Sequence, residues 1–211
     1  MKQFHPIATS IVLAAIAWGA QAHGAGHAAA PAQRLVVSRS GAAGVSSQDR
    51  AFMKNAAQAG KAEVQASNMA VQKATDAAVR QFAQRMVQDQ SKSNARLEQL
   101  ARSKGVRLPI ELSVARQGKL DILKTARGDR FDNEYARNFG VSAQEQAIGL
   151  FRKEADQGKD PQVRAFAADT LGTLRQNLKL ARRMEAGINA QAMGSGRSGN
   201  RLAGTGRQGG S

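Results

Sequence analysis

Apolar residues recur through the middle of this chain at steps of three and four, with no sustained alternation, so the pattern predicts helices throughout. Phe52, Ala56, Ala59, Ala66 and Ala70 mark one face of a first helix that Ser46 or Ser47 can cap and that runs to about Lys73. A second, capped by Thr75, carries Val79, Phe82, Ala83, Met86, Leu97 and Leu100 to a left-handed stop at Gly105. Pro109 marks a turn, and Ser113 to Thr125 reads as a shorter third helix with Val114, Leu120 and Leu123, stopped near Gly128. The fourth opens near Arg130 and bears Phe131, Tyr135, Ile148, Phe151 and Ala155 before Gly158. Asp160-Pro161 starts the fifth: a carboxylate cap, then proline at the first helical position, where its missing N–H costs nothing. Val163, Phe166, Ala167, Thr170, Leu174, Leu178, Ala181 and Ile188 trace its inner stripe. Four long helices and one short one predict an all-α bundle over residues 47–190. Tyr135 should fill core with its hydroxyl at the rim, and Asp132 should favour the positive end of the fourth helix.

Four polar residues interrupt these stripes. Glu63 lies four after Ala59 and three before Ala66, Gln90 four after Met86, Gln144 four before Ile148, and Asn177 three after Leu174. Each long helix therefore directs one polar group inwards, which predicts a buried hydrogen-bond network of Glu63, Gln90, Gln144 and Asn177. Helix bundles that carry metals build their sites in the same place, from Glu and Glu-x-x-His ligands. Amides are poor ligands for transition metals, no Glu-x-x-His occurs, and there is no histidine or cysteine after Ala28, so no metal or other cofactor is expected in the core. Nucleophilic catalysis of the serine–histidine kind lacks its histidine, and the tail glycines precede no helix that could cradle a phosphate.

The ends have a different character. Lys2, the apolar run Ile7 to Trp18 and Ala20-Gln21-Ala22 have the form of a signal peptide over residues 1–22, cleaved after Ala22, the alternative being an uncleaved anchor. No later stretch reaches the roughly 18 apolar residues of a spanning helix, so the expected location is periplasmic or secreted. Residues 23–46, rich in Ala, Gly and Ser, read as a disordered linker, and residues 191–211 as a disordered Gly/Ser/Arg tail. Cleavage would leave His23-Gly24-Ala25-Gly26-His27 at the new terminus. There the amine, His23 and His27 form a weak candidate copper site in an otherwise solvated end.

Several runs taken together resemble a known family. Asp49-Arg50-Ala51-Phe52 with Ala62-Glu63-Val64, Phe82 through Asp89, Gly105-Val106 with Leu108-Pro109, Phe131-Asp132 with Tyr135, Leu150-Phe151, Asp160-Pro161, and Leu171-Gly172-Thr173-Leu174 with Leu178 follow the order and spacing of the exported bacterial proteins called domain of unknown function 4142. The resemblance covers about Asp49 to Met184. It implies a ferritin-like four-helix bundle of unassigned function. It also implies histidines after the second-helix aspartate, in the middle of the fourth helix and in the last helix, where this chain has Gln90, a residue near Gln144, and Asn177. Forward spacing from Tyr135 and backward spacing from Phe151 place the fourth-helix position one residue apart. Gly172 stands where the family has proline, and Glu63 is kept.

Charge completes the picture. The chain has a formal +15 and a pI near 11.2. Residues 49–184 alone hold 25 basic against 15 acidic side chains. Such an excess draws a protein towards anionic surfaces. An exported location favours envelope polymers over nucleic acid, and aromatics at 4% offer little stacking for single strands. No run of five basic residues marks a patch, so cations scattered for solubility are the plainer account. Two functions remain. One is a non-catalytic exported bundle acting through a basic surface. The other is a metal-binding or redox, stress-related ferritin-like protein with a degenerate core site or the His23 terminus.

Overall fold

The computed structural model describes residues 44–202, with side chains to Gly194. The expected signal segment at 1–22, His23 and His27, the linker up to residue 43 and the tail beyond Leu202 lie outside the described residues.

Every regular element described is helical. α1 (Ser47–Lys73) and α2 (Ala77–Ser103) are joined by a tight turn, and a loop then leads to the short α3 (Val114–Thr125). α4 (Gly128–Tyr135) continues without a break through a π-helical turn, Ala136–Val141, into α5 (Ser142–Gln157), and α6 (Pro161–Leu202) is the last element described. α1 packs on α2, α2 on α6, α6 on α5 and α5 on α1, a closed circuit of four neighbours, with α3 laid across α1.

Local chemistry explains the boundaries. The Ser46 hydroxyl accepts the Asp49 N–H at 3.1 Å to open α1. Asp76, not Thr75, caps α2: its Oδ1 accepts the N–H groups of Ala78 and Val79. Thr75 is unavailable as a cap because its hydroxyl and N–H both donate to Asp132. Gly105 ends α2 with φ of 63°, as its sequence position predicts. Gly128, at φ 54°, opens α4 rather than closing α3, which has already ended at Thr125 because Ala126 turns extended. Asp160 Oδ1 caps α6 through the N–H groups of Gln162 and Val163. α6 runs on past Ala190, the end its apolar spacing predicts. Good helix formers such as Ala190, Gln191 and Ala192 keep the backbone helical there, while residues 189–194 lie exposed.

The π-helical turn is the largest departure from the sequence pattern. One extra residue per turn shifts the facing of everything after it, and it accounts for the one-residue disagreement between Tyr135 and Phe151. Gly140 in this turn approaches α6 so closely that a Cβ would stand 3.1 Å from Met184 Cε.

Two apolar clusters make the core. One holds Ala66, Val79, Phe82, Met86, Leu123, Phe131, Tyr135 and Ala181, the other Phe52, Met53, Leu97, Phe151, Val163, Phe166 and Leu174. On each long helix the changeover between clusters falls at one place: between Ala56 and Ala62 on α1, between Met86 and Leu97 on α2, between Phe139 and Ala147 on the α4–α5 rod, and between Leu174 and Ala181 on α6. Gln90, Gln144 and Asn177 occupy three of those gaps, and Glu63 directly follows Ala62 at the edge of the fourth. The interior thus has a polar waist between two apolar halves.

Candidate functional site

All four waist residues are buried, from 0% exposure at Gln144 to 8% at Gln90. Three of them meet. Glu63 on α1 receives Gln90 Nε2 from α2 and Gln144 Nε2 from α5 on the same oxygen, Oε2, the second at 3.2 Å. Gln144 Nε2 also lies 3.9 Å from Met86 Sδ. Asn177 does not join them. Its Oδ1 accepts Arg85 Nε at 3.1 Å, and Arg85 in turn pairs with Asp89 at 3.3 Å. The expected four-residue network is therefore a three-residue clamp beside a separate Arg85–Asn177 contact, because the long arginine of α2 reaches inwards and takes the amide first.

Burial pushes the Glu63 carboxyl up to about 7, against the opposing pull of Gln90, Gln144 and the Arg116 guanidinium. Near neutral pH this carboxyl is close to half protonated. A glutamine suits that state because its N–H groups donate to a carboxylate while its carbonyl accepts from a protonated one. Gln144 Oε1 has no partner among the described residues. A half-turn of the Gln144 amide would present that oxygen to a Glu63 proton. The chemistry of the donor set fits a proton better than a metal ion: one carboxylate faces two amide N–H donors. Among the described residues no group of three or more His, Cys, Asp and Glu comes together.

Glu63 also faces outwards. A cleft of about 370 Å³ between α1, α3, the π-helical turn and α5 reaches it, with Arg116 and Lys119 among its walls. Arg116 is steadied by Gln58 Oε1 at 3.2 Å and Ser113 Oγ at 3.5 Å.

Three further polar arrangements went unread in the sequence. Asp49, fully buried, accepts the N–H groups of Lys159 at 2.8 Å and Asp160 at 3.1 Å and the Ser46 hydroxyl at 2.7 Å. Burial alone would raise it, but these donors together with Glu154 hold it below the usual carboxylate range. Burial and the adjacent Asp49 push Glu154 up to about 7. Gly158 seals this pair, since a Cβ there would stand 2.7 Å from the Glu154 carbonyl and carboxyl oxygens. Nearby, Lys104 pairs with Asp160 at 2.6 Å and keeps that carboxyl low despite its burial. Helical spacing could have found Glu154, three residues after the inward Phe151, and Asp49, three before Phe52.

The second arrangement is the buried tie from Asp132 to the α1–α2 turn. Its carboxylate accepts Thr75 N–H, Thr75 O–H and Asp76 N–H, so it joins two elements instead of only favouring a helix start. The third corrects Tyr135. The ring is wholly buried, stacked on Phe139 at 6.3 Å and edge-on to Phe82, and its hydroxyl meets Ser67 Oγ at 2.9 Å in the interior, not at the rim. A rim position is ruled out because Ser67 supplies the partner inside. Burial pushes the phenol further up, and it stays protonated.

These features define an all-helical arrangement, among the described residues, whose two-part core is divided by a clamped, buried carboxyl. A family model described as a domain of unknown function, DUF4142, matches residues 35–184. The chain belongs to that family, as its sequence runs implied. No curated protein matches it. In fold it is similar to a crystal structure of a DUF305 fragment from Deinococcus radiodurans, with TM-score 0.59 and 15% identity, covering 69% of this chain and 98% of that one. It is similar also to CopM in the Cu(II)-bound form, with TM-score 0.55 and 17% identity, covering 66% and 96%. At such identities the likeness is one of fold. No described helix is long and apolar enough to cross a membrane.

Proposed function

We propose that this is an exported, non-catalytic protein with a ferritin-like four-helix arrangement that binds anionic polymers of the cell envelope through a basic stripe on α6. The observation that carries this reading is the run Arg175 to Met184. It contains Arg175, Lys179, Arg182 and Arg183, all exposed, and no acidic residue. Arg175, Lys179 and Arg183 recur every fourth residue, so they line one side of the helix over about 12 Å at roughly 1.5 Å per residue. Arg182 pairs with Glu145 at 2.8 Å, whereas Arg175, Lys179 and Arg183 have no ion-pair partner among the described residues. Arg85 stands across the α2–α6 seam from Arg183, in the same shallow groove. A row of unneutralised cations at helical spacing attracts a polyanion along its length. Export rests on the signal-peptide form of residues 1–22.

The triple variant R175Q/K179Q/R183Q tests this on a dextran sulfate column. Retention of the wild type should fall steeply with salt, and the variant should bind at least about tenfold more weakly, since three cations near an anionic surface contribute about 1 kcal/mol each before screening. Equal retention of the two would remove the stripe as the contact.

A second reading concerns copper at the processed terminus. It is supported by the ligand chemistry of His23 and His27 and by the Cu(II)-bound form of a protein of similar fold. Copper titration of the processed chain should show one site that His23→Ala weakens at least tenfold; an unchanged affinity ends this reading.

A further inference from the structure

We propose that the cleft in front of Glu63 binds a small amphipathic carboxylate, its anionic head on Arg116 and Lys119 and its apolar body against Phe139 and Leu150. This site is independent of the α6 stripe and lies on another part of the surface.

The cleft has the volume of a small-molecule site, about 370 Å³, and is bounded on four sides by elements already fixed by core packing. Its charged lining consists of three residues: Arg116, Lys119 and Glu63. The two cations stand three residues apart on α3, hence on one face, and neither has an ion-pair partner among the described residues. Arg116 is already oriented by Gln58 and Ser113, so little side-chain freedom is lost when an anion arrives. Apolar surface comes from Ala62, Phe139, Ala147 and Leu150, and Asn138 and Gln146 add hydrogen-bonding groups. Paired cations, an apolar wall and a few amides recognise a carboxylate attached to a hydrocarbon or aromatic body.

Glu63 at the floor makes the site sensitive to pH. As a carboxylate it repels the ligand head. Protonated, it removes that repulsion and offers a hydrogen to the ligand. The ionisable groups that face it are Arg116 and Lys119 from α3 and Tyr135 from α4; α2 contributes Gln90, α5 Gln144, and α6 the uncharged Thr170 and Leu174. Burial holds the Tyr135 phenol neutral, leaving Glu63 to set the dependence.

Octanoate is the probe, with octanol lacking the charge and acetate lacking the body. Amide chemical shifts of the ¹⁵N-labelled protein, followed at about pH 5.5 and pH 8, report both place and affinity. Saturable octanoate shifts at α3, the π-helical turn and α5 are expected, at least tenfold tighter than either control and several-fold tighter at the lower pH. R116Q/K119Q should lose at least tenfold in affinity while its amide spectrum away from the cleft stays that of the folded wild type, Arg116 being half-buried and Lys119 exposed. Glu63→Gln should bind equally at the two pH values. Octanoate shifts absent from the cleft, equal binding of octanol, or full affinity in R116Q/K119Q would each overturn the proposal.

Discussion

Asp132→Ala is expected to lower the unfolding free energy by about 3–4 kcal/mol. The carboxylate is 2% exposed and accepts from Thr75 N–H, Thr75 O–H and Asp76 N–H. Removing it orphans three donors at once inside a turn that α4 covers. Each unsatisfied buried donor costs roughly 1–3 kcal/mol, and the small cavity left by the carboxyl adds to it. Asp132→Asn keeps an acceptor oxygen and should lose about half as much. Urea titration followed by far-ultraviolet circular dichroism measures both, and the denaturant slope should stay constant. A loss below about 1 kcal/mol in the alanine variant would mean that water already satisfies those donors.

The second large effect is a stability maximum on the acidic side of neutrality. Glu63 and Glu154 are both raised to about 7 in the folded protein from an ordinary 4.5. A carboxyl raised on folding contributes stability that is fully present below its unfolded value and lost as pH climbs through the folded one. Asp49 and Asp160 are held low, so they contribute above their ordinary 3.8 and lose that contribution as the medium becomes more acid. The two trends cross, and the thermal midpoint should peak near about pH 5 and decline to about pH 8. For Glu63 alone the decline is on the order of 3 kcal/mol, or roughly 6–12 °C for a chain of this size. Glu63→Gln holds a neutral amide at every pH and should flatten about half of the slope, leaving the part that belongs to the Asp49–Glu154 pair. A midpoint that rises from pH 5 to pH 8 would show that the buried carboxyls are charged and stabilised by partners stronger than the amides.

The waist was legible from residue spacing because helical periodicity decides burial: Glu63, Gln90 and Gln144 sit at steps of three and four from Ala59, Met86 and Ile148, and each is inside. Periodicity says nothing about which neighbour claims a buried amide. Asn177 is as interior as the others, yet Arg85 reaches it from α2, and an arginine's reach depends on the distance between two helices rather than on either sequence. The π-helical turn was hidden for a different reason. Ala136 to Val141 contains no proline, Gly140 alone does not distinguish a π-helical turn from an ordinary helix, and only the mismatch between Tyr135 and Phe151 betrays the inserted residue. Thr75 and Asp76 are both good caps, and the choice between them was made by Asp132, 56 residues ahead of Asp76 in the chain. The Asp49–Glu154 pair followed the same spacing rule as Glu63 and went unread because charged residues are usually assigned to the surface.

Asn177 and Gln144 also show why the core is both polar and ordered. Small residues on α1, such as Ala62, Ala66 and Ala70, let the helices approach closely, and Gly60 packs against Asn94 of α2 with no room for a Cβ. At that distance an unpartnered polar group finds little water, so each waist residue is held by a side chain from another helix or leaves one atom bare, as Gln144 Oε1 does.

The claim on which this account rests is that Glu63, buried among amides, holds its proton well above the usual carboxylate range. A ¹³C-detected titration of the labelled glutamate side chains, with Glu63→Gln assigning the signal, measures it directly. The account predicts a Glu63 carboxyl carbon that titrates near pH 7; a midpoint in the ordinary range near 4.5 would contradict it.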